Sequence, residues 1–87
     1  MCNTNNEARE LWEKVIDIID EEGRMSPEIN NWFRPLEPLS IDENNIYLKA
    51  RDDFHKKMCD TYHLEQRFIE GIIKSIAKKE YKIHIII

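Results

Sequence analysis

His55, Cys59 and His63 recur every four positions, the one spacing in this chain that suggests a metal. On a helix successive members of such a set drift by about 40°, so two imidazoles and a thiol would share a stripe. A structural zinc site needs a fourth ligand and usually draws ligands from more than one element. The set therefore reads as a partly buried Cys59 flanked by surface histidines, and neither metal nor cofactor is expected. Nucleophilic chemistry has no better candidates. Ser26, Ser40 and Ser75 stand without a neighbouring base and orienting group, and no glycine-rich phosphate loop is present. Gly71-Ile72-Ile73-Lys74 lacks the second glycine of a KH-type nucleic-acid loop. A chain of 87 residues leaves little room for a concealed active site, and the expectation is a protein that does not catalyse.

Binding is the remaining possibility, and charge narrows it. The net charge is −4, but residues 1–45 carry eleven acids and four bases, whereas residues 46–87 carry six acids and nine bases. An acidic domain cannot rely on phosphate neutralisation for tight nucleic-acid binding. Lys49, Arg51, Lys56, Lys57 and Lys82 in the basic half are candidate contacts to a single-stranded backbone, at most weak ones. Their ordinary role is a solvated face that keeps a small domain soluble.

The elements that would position these residues are legible. Thr4-Asn5-Asn6-Glu7 offers N-cap oxygens with capping-box spacing, and a helix is expected from about Glu7 to a left-handed stop at Gly23, with residues 1–6 flexible. Its apolar residues, Ala8, Leu11, Trp12, Val15, Ile16, Ile18 and Ile19, cover an arc of roughly 160°, wider than the ~100° a core-facing helix needs. The surplus flank holds Trp12 and Ile16, and an exposed tryptophan there would be a partner anchor. Ser26-Pro27-Glu28 opens a short second helix carrying Ile29, Trp32 and Phe33, ended by Pro35 and Pro38. Alternation over Leu39–Ile41 and Ile46–Ala50 about a turn at 42–45 predicts a β-hairpin whose covered face holds Leu39, Ile41, Ile46, Leu48 and Ala50. Asp52-Asp53 caps a helical stretch whose apolar phase slips near Tyr62 to Leu64, giving either a kink or two abutting helices. A last strand over 80–87 should set Tyr81, Ile83, Ile85 and Ile87 on one face. The order α-α-β-β-α-β in one α+β domain, residues 1–87, implies a three-stranded sheet with one face covered by helices.

In this order the chain resembles the N-terminal domain of the bacterial replication initiator DnaA, a KH-like α+β fold. The carrying residues are Leu11-Trp12-Glu13-Lys14-Val15, then Trp32-Phe33-Arg34-Pro35-Leu36-Glu37-Pro38-Leu39, then Ile46-Tyr47-Leu48-Lys49-Ala50 followed by Phe54. The resemblance spans about residues 10 to 87 and rests on the order and spacing of these pieces together. Ile29 stands where the family usually has an aromatic, Arg51-Asp52 where it often has proline-asparagine, and one extra residue sits near Tyr62-His63.

The resemblance implies a protein-docking module of DNA replication initiation. That the chain is cytoplasmic, with no membrane partner, is expected from the sequence itself, whose Cys2 and Cys59 are too few and too distant for a disulfide framework. The family's domain associates weakly with itself and binds the replicative helicase and initiation regulators. Some members touch single-stranded DNA weakly. By position, Trp12 matches a tryptophan linked to self-association, while Glu28 and Phe54 match positions linked to helicase and regulator contact. The family's ATPase and duplex-DNA-binding domains have no counterpart in these 87 residues. A relative of this kind would also suit a regulator that binds the full-length initiator through its N-terminal domain. No N-terminal signal peptide and no apolar run of membrane-spanning length is read in the sequence.

Overall fold

The computed structural model describes residues 4–87, with side chains from Asn6 onward. Helix α1 spans Thr4–Glu21, starting three residues before the expected Glu7; the cap read at Thr4, and residues 1–3 of the expected flexible stretch, lie outside what is described. Gly23 at φ 70° closes α1 in the Schellman manner, with Gly23 N–H donating to Asp20 C=O and Arg24 N–H to Ile19 C=O.

Ser26 caps the next turn, its Oγ accepting the Ile29 N–H at 3.2 Å. From Ile29 to Phe33 the chain widens into a π-helical turn, in which Arg34 N–H reaches back five residues to Ile29 C=O. Strand β1 (Glu37–Ile41) pairs antiparallel with β2 (Asn45–Lys49), and β3 (Lys82–Ile86) lies parallel to β2 on its other side. Between the parallel strands run α2 (Asp53–Thr61) and α3 (His63–Ala77). The slip in apolar phase is thus a break: Tyr62, at φ −97° and ψ 52°, separates two helices. Pro38 falls inside β1, not before it, tolerated because β1 is an edge strand.

The core lies between the sheet and the helices. Val15 and Ile19 of α1, Phe33 of the π turn, Ile46 and Leu48 of β2, and Ile69 and Ile73 of α3 are all fully buried. Three expectations about exposure change. The flank of α1 that holds Trp12 and Ile16 is not spare: Trp12 is 2% exposed and Ile16 7%. Helix α1 packs against both β1 and α3, so it lies in a two-sided trough that consumes a wider arc than one flat contact would. Leu39 leaves the covered face because the β1–β2 register shifts between Pro38 and Ser40, stranding it in a bulge where it is half-buried. On β3, Ile83 and Ile85 are buried but Ile87, one residue past the strand, is exposed. Among the described residues no helix is long and apolar enough to cross a membrane.

Candidate functional site

The structure gathers its distinctive side chains where α2 begins. Asp52 caps that helix, its Oδ1 accepting the His55 N–H at 2.8 Å. The His55 ring is buried and uses both nitrogens on backbone. Its Nδ1 accepts the Arg51 N–H at 3.1 Å, and its Nε2–H donates to the Trp32 carbonyl at 2.7 Å. These two bonds fix a neutral ring with its proton on Nε2. The Cys59 thiol, one turn on, donates to the same carbonyl at 3.4 Å. Burial pushes that thiol up to about 11, so it is a protonated packing group and not a nucleophile.

This clamp ties the π turn to α2 and sets two aromatic rings side by side on the surface. Phe54, 62% exposed, meets the half-buried Trp32 edge-on, with ring centroids 5.7 Å apart and planes at 75°. Glu28 precedes Trp32 by four residues on the same short helix, half-buried, and its carboxylate caps no backbone group of the π turn. Of the four expected protein contacts, Phe54 is exposed and Glu28 lies one turn from its aromatic partner. Trp12 and Ile16 are buried in the core and offer a partner no surface. Trp32, read with Ile29 and Phe33 on the apolar side of the short helix, is the addition: it packs against the core but stays half-buried, while Phe33 is fully buried. The spacing that sets both rings on the apolar side does not say which of them is covered completely.

The metal stripe is not assembled. His55 has spent its ring nitrogens, Cys59 is buried, and His63 is exposed beyond the break at Tyr62. No group of three or more candidate ligands is gathered among the described residues.

The five candidate nucleic-acid cations do not form one patch. Lys49 and Lys82 belong to the open face of the sheet, at opposite ends of the β2–β3 pairing. Arg51 lies in the β2–α2 loop, and Lys56 is engaged with Asp60 at 3.2 Å on α2, next to exposed Lys57. Between Lys49 and Lys82, Tyr47 stacks on His84, with centroids 5.2 Å apart and planes at 21°. Asp42 Oδ2 accepts the Tyr47 hydroxyl at 3.1 Å, and Asp42 Oδ1 accepts the Asn45 amide at 2.9 Å. His84 Nε2 donates to Asn45 Oδ1 at 2.7 Å. Chiefly through the Asn45 amide, this network lowers the Asp42 carboxyl below its ordinary value; the Asp42 contact raises the Tyr47 hydroxyl. It locks the hairpin turn to β3 and holds no nucleophile against a base. A scan against models of known protein families finds no match for this chain.

Proposed function

We propose that the chain is a non-catalytic docking module of replication initiation, of the DnaA N-terminal type, which presents Trp32 and Phe54 to a protein partner. The partners in view are the replicative helicase, an initiation regulator, or the initiator itself. One observation carries this reading: Phe54 is left 62% exposed against Trp32, on backbone fixed by the Asp52 cap and the His55 clamp. A large aromatic held rigid before binding loses little conformational freedom on docking, which is how few side chains come to dominate an interface. Self-association through Trp12 and Ile16 forms no part of the proposal, since neither is available.

The test is direct binding of the chain to purified replicative helicase and to full-length initiator. Phe54→Ala should weaken docking at least about tenfold, as truncating an interface anchor does. Its melting temperature should stay near that of the parent, because the ring is mostly in water. Glu28→Ala should have a smaller effect of the same sign. No binding to either protein, or binding that survives Phe54→Ala unchanged, would sink the reading.

A second reading has its own observation, the Tyr47–His84 stack between Lys49 and Lys82 on the open sheet face. Aromatic rings with flanking cations suit a weak single-stranded nucleic-acid contact. Such binding would weaken steeply with added salt and disappear in Lys49→Ala with Lys82→Ala, while leaving Phe54-dependent docking intact.

A further inference from the structure

At the end of the sheet where β2 and β3 begin, a cleft of about 590 Å³ opens between the strands and α3. Its size falls in the range of ligand sites, about 300–1,000 Å³. The α3 wall is Arg67, Glu70, Gly71 and Lys74; the opposite wall includes Asn44 and Lys82. Arg67, Gly71 and Lys74 follow at i, i+4 and i+7, one stripe along the helix. Gly71 makes the notch: a Cβ built there would meet no atom within 4 Å, so its missing side chain is open volume between the two cations.

The donors are available. Neither the Arg67 guanidinium nor the Lys82 ammonium is in a salt bridge or side-chain hydrogen bond among the described residues. Both carboxylates in the cleft already have partners, Glu70 on the β3 backbone and Glu80 on Lys74 within the cleft itself. Glu70 Oε2 accepts the Ile83 N–H at 2.9 Å, beside Gln66, whose amide donates to the Ile83 carbonyl. Glu80 lies 3.8 Å from the Lys74 ammonium. Three cations against two acids leave the cleft with a surplus of one positive charge on a chain whose net charge is −4. Guanidinium presents a planar fork matched to phosphate oxygens, with ammonium as a point charge across from it.

We infer that this cleft binds the phosphate or diphosphate group of a small molecule, held by Arg67 and Lys82 across the notch at Gly71. The site shares no residue with the Trp32–Phe54 patch, so the two readings stand or fall separately.

The experiment is an amide-resolved NMR titration of the whole chain, in a phosphate-free buffer at constant ionic strength, with inorganic phosphate and then pyrophosphate. Saturable shifts should centre on Asn44, Gly71 and Lys82, with pyrophosphate the tighter ligand at a Kd of about 5 mM or below. Arg67→Gln should weaken binding at least fivefold. Gly71→Leu should do the same by filling the notch, and since Leu favours a helix more than Gly, the domain should melt no lower than the parent. Shifts that never saturate, or that spread equally to Lys56 and Lys57, overturn the inference. So does binding indifferent to both substitutions. A phosphoserine peptide or an oligonucleotide that binds more than tenfold tighter than pyrophosphate overturns the small-molecule assignment.

Discussion

Trp12 carries a physical oddity that bears on both stability and function. It is 2% exposed, yet its indole Nε1–H has no hydrogen-bond partner among the described residues. A buried donor without an acceptor forgoes about 1–3 kcal/mol. The ring's contribution is therefore apolar burial, discounted by an unpaired N–H. Trp12→Ala should cost about 3–5 kcal/mol, the usual consequence of emptying a large core position. Trp12→Phe keeps most of the ring contact and removes the orphan donor, so its cost should stay below about 1.5 kcal/mol. Urea unfolding at unchanged m-value measures both. If Phe proves as costly as Ala, the indole nitrogen has an acceptor after all. The same pair separates packing from self-association, since a core tryptophan changes the unfolding midpoint without shifting the sedimentation of the folded chain.

At the scale of elements, two helix ends share a left-handed backbone, and the residue suits it at one end and not at the other. Gly23 sits at φ 70°, and an added Cβ would meet nothing within 4 Å, so any cost of Gly23→Ala comes from the left-handed backbone alone, about 1 kcal/mol. Lys78 ends α3 at φ 60°, its N–H donating to the Lys74 carbonyl, in a place that favours glycine. Lys78→Gly should raise stability by about 0.5–1 kcal/mol, read as a higher urea midpoint; a fall would mean that the lysine side chain matters more than its backbone strain. The two ends also mark what the sequence discloses. Gly23 announces the end of α1, and Ser26, Asp52 and the alternation of the hairpin announce the elements that follow, because caps and periodicity are local. Lys78 gives no such signal. Neither does the bulge at Leu39, whose register is set by the strand beside it, nor the π turn that leaves Trp32 half-buried beside the buried Phe33. The exposed Phe54 was legible only through the family resemblance, since an aromatic near a helix start reads as core. The burial of Trp12 was missed for a related reason: the width of an apolar arc gives the amount of surface to be covered, but not how many neighbours cover it.

For the whole molecule the question is whether these parts make one cooperative unit. The radius of gyration, 12.0 Å, is that of a single domain of this length. The contacts are less even than that suggests. Helix α1 packs on β1 and α3, whereas the main helical neighbour of the π turn is α2. The π turn could therefore open with α2 while the sheet and α1 hold. What argues against this is the core, because Phe33 of the π turn and Cys59 of α2 are fully buried in the same cluster as Val15, Leu48 and Ile73. Opening either element would expose those side chains at about 25 cal/mol per Å² of apolar surface, with no compensating contact. The two tryptophans report on the two regions separately, Trp12 on α1 and Trp32 on the junction with α2. In Trp12→Phe the remaining fluorescence follows the π turn; in Trp32→Phe it follows α1. Within each variant, the fluorescence midpoint in urea should coincide with the midpoint from far-ultraviolet circular dichroism, as a two-state domain requires. A Trp32 signal lost at lower urea than the helical signal would show that the docking patch unfolds on its own. The rigidity ascribed to Phe54 would then be wrong, and with it the low entropic cost on which its role as an anchor depends.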